Sequence, residues 1–227
     1  MDMELGRSGC LEDGKDTGGW SEHPLRARFN AWIFRALDGY VHRKYRDIKR
    51  ELFGGLPHTV LELGAGDGAN FRYLSPGTHV IAVEPNLHMH ASLRAAAARS
   101  GVSADVRAAF AERLPLPDAS VDAVISSLVL CSVTDPGRAL AEVRRVLRPG
   151  GRLWCIEHVA APANTWTARA QRLLKRPWGW CFEGCDTGRD LVRFLREAGF
   201  ASVEITPFTL RTVFLPIRSQ IAAVAVR

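Results

Sequence analysis

Apolar residues change their spacing near residue 55, and the change divides the chain into two parts. Between residues 25 and 53 they recur every three or four positions, the period of one amphipathic helix or of two. Beyond Gly54-Gly55, short β-rich runs alternate with helical stretches. Strands buried on both faces and separated by helices are typical of a parallel sheet. We therefore predict an α/β domain over 56–227, preceded by a helical lid over 23–55.

The β-rich runs have the length of buried strands. They are TVLEL (59–63), HVIAVE (79–84), ADVRAA (104–109), VDAVISS (121–127), GRLWCIEHV (151–159), SVEITPF (202–208) and SQIAAVAV (219–226). Helices are predicted at about 69–74, 87–100, 136–147 and 187–198. The last two runs have no helix-length amphipathic pattern between them. The tail is therefore expected to form a hairpin, with an antiparallel strand at the edge of the sheet.

The composition is that of a globular chain, with 227 residues of which 47% are hydrophobic. This length suffices for one domain with a sizeable core. No apolar run of about 18 residues occurs, and the N-terminus has no apolar stretch of the kind found in signal peptides. We predict a cytoplasmic protein with no transmembrane segment. Residues 1–22, rich in glycine and poor in large apolar side chains, are predicted to form a disordered leader.

The cysteines predict neither a disulfide framework nor a metal site. There are five, an odd number scattered over a core-forming chain: Cys10, Cys131, Cys155, Cys181 and Cys185. Cys181 and Cys185 come nearest to a metal-binding pair, and no second Cys/His pair at finger-like spacing follows them.

The net charge of +6 is concentrated in one segment. Between residues 25 and 53 eight basic residues face three acidic ones, an excess of 8 − 3 = +5. The simplest interpretation is the solvated face of a helix that covers the domain. Peripheral contact with an anionic membrane is a less favoured alternative.

The turn after the first strand, LELGAGDGANF (61–71), fits two ligand classes. Gly64, Gly66 and Ala69 satisfy the dinucleotide fingerprint, and Glu84 lies where a ribose-binding acid would be. Glu62 and Asp67 favour a different ligand, because a pyrophosphate beside them would meet like charge at about 1 kcal/mol per close pair. S-adenosylmethionine has a sulfonium, an ammonium and a ribose diol, and it has no phosphate. The acids therefore favour S-adenosylmethionine.

Further motifs extend this pattern along the chain. VEPN (83–86), FAERLPLPDASVDAVISS (110–127) and EVRRVLRPGG (142–151) follow the glycine turn in order. With these motifs the chain resembles the class I S-adenosylmethionine-dependent methyltransferases over about 59–226. The resemblance implies a doubly wound, seven-stranded α/β sheet of order 3-2-1-4-5-7-6 with strand seven antiparallel. The implied product is S-adenosylhomocysteine.

The same resemblance implies a cofactor site at the carboxyl ends of the strands. Its residues are Glu62, Gly64, Ala65, Gly66, Glu84, Pro85, Asn86, Ala111, Glu112, Ser127 and Leu128. Glu62 would orient the methionine ammonium, the glycine turn would line its path, and Glu84 would accept the ribose hydroxyls. Ala111 and Glu112 would border the adenine. Asp67 stands where the family commonly has threonine, so the resemblance gives it no direct role.

A narrower resemblance concerns the acceptor. SLVLCSVTDPGRALAEVRRVLRPGG (127–151), IEHVAAP (156–162) and the pair Gly184-Cys185 are similar to the methyltransferase-like seven proteins, which methylate alkyl thiols. Those proteins carry an N-terminal hydrophobic anchor, whereas this chain has a basic amphipathic helix. A thiol on a small molecule is thus the first-choice acceptor and an oxygen acceptor the second. A non-catalytic scaffold that binds S-adenosylmethionine is the alternative from another class.

The acceptor side offers one candidate base and a candidate apolar wall. His158, at the end of the fifth strand, is the candidate base. An insertion over 160–186 interleaves tryptophans with basic residues. The tentative pocket residues are Tyr40, Trp166, Trp178 and Trp180. Ser126-Ser127-Leu128-Val129 lacks the D/N-P-P-Y/F tetrad of enzymes that methylate base amines, so a nucleic-acid substrate is not predicted.

Overall fold

A seven-stranded sheet with helices on both faces forms the body of the protein. The computed structural model describes residues 24–227, and the leader predicted at 1–22 lies outside the described residues. The strands are β1 (Thr59–Leu63), β2 (His79–Val83), β3 (Ser103–Arg107), β4 (Val121–Ser127), β5 (Leu147–His158), β6 (Ser202–Thr209) and β7 (Ser219–Val226). The helices are α1 (Pro24–Phe53), α2 (His90–Ser100), α3 (Pro136–Val146), α4 (Trp166–Cys181) and α5 (Leu191–Glu197).

The strand order is β3-β2-β1-β4-β5-β7-β6, which confirms the predicted topology. β7 runs antiparallel to both β5 and β6, and the other pairs are parallel. The order reverses direction between β1 and β4, whose carboxyl ends therefore leave a crevice where ligands bind in open α/β sheets.

The central strands are apolar because both of their faces are covered. Along β1, Leu61 and Leu63 join one hydrophobic cluster, while Val60 joins the cluster on the opposite face. Ile125 of β4 lies in the same cluster as Val60, and Val124 lies in the other. This two-sided burial explains why these strands read as continuous apolar runs and do not alternate with polar residues.

One helix of 30 residues, α1, occupies the segment predicted to hold one helix or two. Most of its basic side chains are exposed, as expected for a solvated face. Lys49 is the exception, since it lies buried beside the buried residues Tyr45 and Phe53. No helix among residues 24–227 is long and apolar enough to cross a membrane.

The insertion contains a helix, α4, that the pattern of apolar residues did not predict. The Thr165 hydroxyl caps it by accepting a hydrogen bond from the Ala168 amide at 3.1 Å. Pro177 lies inside the helix and cannot donate a backbone hydrogen bond. Conversely, the helix predicted at 69–74 is only a 3₁₀ turn, Phe71–Tyr73, because Pro76 disfavours helical backbone just before it.

Candidate active site

A cavity lies at the carboxyl ends of β1, β2 and β4, with α1 as one wall. It is lined by all of the residues predicted to hold the cofactor except Glu62 and Asn86. Phe34, Asp38 and Val41 contribute the α1 wall. The crevice expected from the strand order is therefore the place where the predicted motifs meet.

The glycine turn brings backbone into this cavity through residues with positive φ. Gly64 has φ +51 and Gly66 has φ +57, conformations that glycine adopts at little cost. A Cβ atom on Gly64 would stand 2.6 Å from Cγ2 of Val129. This close approach packs the turn after β1 against the loop after β4.

Glu84, at the end of β2, is hydrogen-bonded to the glycine turn. Its carboxylate accepts from the amide of Gly66 at 2.8 Å and from the amide of Asn86 at 2.7 Å. Burial raises the pKa of Glu84 well above its usual value, and the nearby carboxyl of Glu183 raises it further. The two amide donors oppose that shift without cancelling it.

Glu183 is a cavity residue that the sequence reasoning did not identify. It follows α4, has φ +48, and accepts a hydrogen bond at 2.8 Å from the side chain of Asn86. Burial raises the pKa of Glu183. The only local signal was its position just before Gly184-Cys185, and that signal indicated no contact with a strand nearly a hundred residues away.

Glu62 lies behind the cavity in a buried polar chain. Its carboxylate accepts a hydrogen bond from the side-chain amide nitrogen of Asn70 at 2.7 Å. The side-chain oxygen of Asn70 in turn accepts one from the Lys49 ammonium at 2.7 Å. Burial raises the pKa of Glu62 to about 7 and lowers that of Lys49 to about 8. The second Glu62 oxygen, Oε2, has no hydrogen-bond partner among the described residues, which leaves an acceptor available to a cationic group.

The end of β4 provides a second unsatisfied polar group. Ser127 lines the cavity, and its buried hydroxyl makes no hydrogen bond within the described part of the chain. Leu128 has φ +64, and its amide donates to the Ile156 carbonyl at 2.8 Å. The strand therefore ends in a fixed bend beside the cavity.

The charge of the lining suits a cation. Asp38, Asp67, Glu84, Glu112 and Glu183 line the cavity, and the ammonium of Lys49 is the basic group beside them. Acid-rich clefts of this kind concentrate cationic ligands. The Glu62 Oε2 atom and the Ser127 hydroxyl add two buried polar groups that have no hydrogen-bond partner among the described residues. Together these residues fit a cofactor with a sulfonium, an ammonium and ribose hydroxyls.

His158 lies at the end of β5 as predicted, but it is not in the lining of the cavity. Its Nδ1 atom is 3.5 Å from Sγ of Cys131 and 3.3 Å from Sγ of Cys185. The other ring nitrogen, Nε2, is buried and has no partner among residues 24–227. A role as base would have to use that second nitrogen.

The tentative aromatic pocket residues lie away from the cavity lining. Trp166 and Trp180 are 76% and 53% exposed and lie about four helical turns apart on the same face of α4, where Trp180 packs on Phe29 of α1. Trp178 points inward and packs on Phe182, with ring centroids 4.3 Å apart. The Tyr40 hydroxyl is 2.7 Å from that of Thr212.

Known proteins are similar to the chain in sequence and in fold. The methyltransferase domain family matches residues 61–155. The human thiol S-methyltransferase TMT1B is 34% identical over 215 residues, which cover 90% of this chain and 88% of the relative. The human thiol S-methyltransferase TMT1A is 35% identical and covers 79% and 78% of the two chains.

Among solved structures, an S-adenosylmethionine-dependent methyltransferase from Thermotoga maritima superposes with a TM-score of 0.63. It is 21% identical, and the match covers 89% of this chain and 99% of that one. At this identity the likeness concerns the fold.

Proposed function

Because the chain belongs to the S-adenosylmethionine-dependent methyltransferases and groups there with TMT1A and TMT1B, we propose that it methylates the sulfur of a small thiol. The observation that carries the proposal is the extent of the similarity to TMT1B. The methyltransferase domain match ends at residue 155, whereas the likeness to TMT1B covers 90% of the chain. It therefore extends to elements beyond the part of the chain that the methyltransferase domain family matches.

The chain's own residues would hold the cofactor in the cavity. Glu84, fixed by the amides of Gly66 and Asn86, would accept the ribose hydroxyls. The open oxygen of Glu62 would accept from the methionine ammonium, directly or through water. When bound, S-adenosylmethionine supplies an electrophilic methyl group on a sulfonium. The cavity acids favour that positive charge.

A thiol needs little help to become the nucleophile. At pH 7 a thiol with a pKa of about 8.5 costs only about 2 kcal/mol to ionise, whereas a phenol costs about 4 kcal/mol. After the proton has left, the thiolate lone pair forms the new S–C bond while the bond from the methyl carbon to the sulfonium breaks. The electron pair of that bond stays on the departing sulfur. Alignment alone can lower such a barrier by about 7–11 kcal/mol.

We further propose that α1 and the insertion at 160–186 form the lid of the acceptor side. Support comes from Phe34 and Val41, which line the cavity, and from hydrogen bonds between α1 and the end of α4. The cytoplasmic location stays a prediction.

The test compares thiols with alcohols of the same carbon skeleton. The full chain is incubated with S-adenosylmethionine and each acceptor, and S-adenosylhomocysteine and the methylated product are measured by mass spectrometry. We expect thioethers from the thiols and no ethers from the alcohols. Ethers without thioethers would instead indicate O-methylation, and cofactor binding without any product would indicate a scaffold.

Glu84→Ala serves as the cofactor-site variant. Loss of a hydrogen bond to a charged group should weaken cofactor binding by about 1.5–3 kcal/mol, measured by calorimetry. Glu204→Ala, an exposed acid on the edge strand β6, is the matched control and should bind as the wild type does. Equal affinities for the two variants would remove Glu84 from the cofactor site.

A further inference from the structure

Three soft or borderline ligand groups converge behind the cavity from distant parts of the chain. Cys131 lies in the loop after β4, His158 ends β5, and Cys185 precedes α5. The two Sγ atoms are 3.5 Å apart, and each lies within 3.5 Å of the His158 Nδ1 atom. All three side chains are buried. Spacing along the sequence could not reveal this group, because 27 residues separate each neighbouring pair.

The surrounding backbone holds the three groups in place. The Glu157 carboxylate accepts from the amide of Cys131 at 3.2 Å and from that of Leu130 at 3.0 Å. The Asp186 amide donates to the Cys131 carbonyl at 2.9 Å, which ties the two cysteine-bearing loops together. The arrangement therefore does not depend on contacts among the three side chains alone.

The spacing of the ligand atoms matches that of a tetrahedral zinc site. With Zn–S bonds of about 2.3 Å and Zn–N bonds of about 2.0–2.1 Å, tetrahedral angles separate the ligand atoms by about 3.5–3.8 Å. The three separations here are 3.5, 3.5 and 3.3 Å. The agreement is within a few tenths of an ångström on every edge.

The charges also balance. Two thiolates neutralise one Zn²⁺ ion, so ligation adds no net charge to a buried region that already contains the Glu157 carboxyl. The orientation of the imidazole suits the same role, since Nδ1 faces both sulfur atoms. The ring orientation therefore coincides with the contacts of Nδ1 with the two sulfur atoms.

We propose that Cys131, His158 and Cys185 bind a Zn²⁺ ion. Within residues 24–227 no fourth histidine, cysteine or carboxylate joins the group, so the fourth position goes to water or another exogenous ligand. Val129, Ser132 and Glu183 line the cavity and lie within two residues of one of the cysteines. The metal would thus sit directly behind the cavity wall, and His158 Nδ1 would be a ligand atom unavailable to act as a base.

Metal binding is tested on the reduced, chelator-treated full chain. Zinc is added, excess is removed by desalting, and the bound metal is measured by mass spectrometry and by competition with a chromophoric chelator. Co²⁺ loading provides a spectroscopic readout, because thiolate ligation gives charge-transfer bands that carboxylates do not. We expect one zinc per chain, and a cobalt spectrum with two thiolate ligands.

Cys131→Ser and Cys185→Ser should each weaken zinc binding at least about tenfold and reduce the charge-transfer absorbance. Cys155→Ser is the matched control, since Cys155 is equally buried but lies in β5 outside the group. It should bind zinc as the wild type does. The proposal would be overturned by wild-type protein that retains no zinc, or by ligand variants that bind it like Cys155→Ser. The wild-type measurements decide the question even if a ligand variant fails to fold.

Discussion

At the residue scale, the buried Glu84 and the half-buried Glu183 form a pair of carboxyl groups that face one cavity. Burial raises the pKa of both groups, and the like charge of Glu183 raises the pKa of Glu84 further. A bound cation and ribose hydroxyls favour the ionised form of Glu84, so binding releases a proton. Cofactor affinity should therefore fall as pH is lowered through the raised pKa of Glu84 and level off above it.

This pH dependence can be measured by calorimetry from mildly alkaline to mildly acidic solution. Glu183→Gln keeps an oxygen acceptor for Asn86 but removes the like charge, so the fall in affinity should move to lower pH. Glu204→Gln, on the surface of β6, is the control and should leave the profile unchanged. A Glu183→Gln profile that overlies the wild-type profile would contradict the coupling.

Gly64, in the turn that lines the cavity, is a position where the backbone conformation and the close contact with Val129 both favour glycine. Gly64→Ala would place a Cβ 2.6 Å from Val129 in a left-handed conformation that itself costs about 1–2 kcal/mol. We expect a free energy of unfolding lower by at least that amount, measured by denaturant titration. Gly55→Ala, where a Cβ would have no neighbour within 4 Å, is the matched control and should unfold close to the wild type.

Shortening Val129 provides a check on the physical cause. Val129→Ala combined with Gly64→Ala should recover part of the lost stability, because the clash is relieved while the backbone strain remains. Purely additive losses in the double variant would show that the steric explanation is wrong.

The cavity residues that follow the buried strands could be predicted from sequence, and the reason is local. The glycine turn and Glu84 follow buried strands, and the carboxyl ends of neighbouring parallel strands meet at one edge of the sheet. Glu183 and the Cys131–His158–Cys185 group could not be predicted in this way. Their positions depend on a connection after β5 whose path no periodicity specifies.

At the element scale, side chains near the beginning of α1 bind the carbonyl end of α4. The last carbonyls of a helix have no partner within it. Here the side chain of Arg26 donates to the Gly179 carbonyl at 2.8 Å, and that of Asn30 donates to the carbonyls of Trp180 and Cys181. The fully buried Asn30 thus acts as a cap supplied by another helix.

Asn30→Ala should lower the free energy of unfolding by about 1–3 kcal/mol, because the buried Asn30 side chain would be lost and the Cys181 carbonyl would lose its donor, while the Trp180 carbonyl would keep Arg26. Denaturant titration followed by circular dichroism measures the change. Arg28→Ala, an exposed position on the same helix, is the control and should stay within about 0.5 kcal/mol of wild type. Equal stability of the two variants would mean that the cap contributes nothing.

The same contacts explain why α4 was not predicted while the sheet was. The strands are recognisable as apolar runs, whereas α4 contains Pro177, a residue that disfavours the interior of a helix. Its end is stabilised by Arg26 and Asn30, which are about 150 residues away in the chain. A pattern read along the sequence contains no trace of such a partner.

At the scale of the whole molecule, the charges are separated. The cavity lining is rich in carboxyl groups, and most of the basic side chains of α1 are exposed to solvent. Lys49 alone crosses from α1 to the polar chain behind the cavity, at 2.7 Å from Asn70. The basic excess of α1 is therefore mostly exposed, while the cavity lining is acidic.

The two attachments of α1 differ in kind, and this difference has a kinetic consequence. Near its beginning the side chains of Arg26 and Asn30 donate to main-chain carbonyls at the end of α4, whereas near its end the buried ammonium of Lys49 donates to the side chain of Asn70. A helix held in this way would swing about its far end, and that opening would admit cofactor and release product. Where such motions limit turnover, the first cycle is faster than those that follow. Rapid mixing should then show a burst of methylated product, and Asn30→Ala, which loosens the moving end, should speed the steady state that follows it.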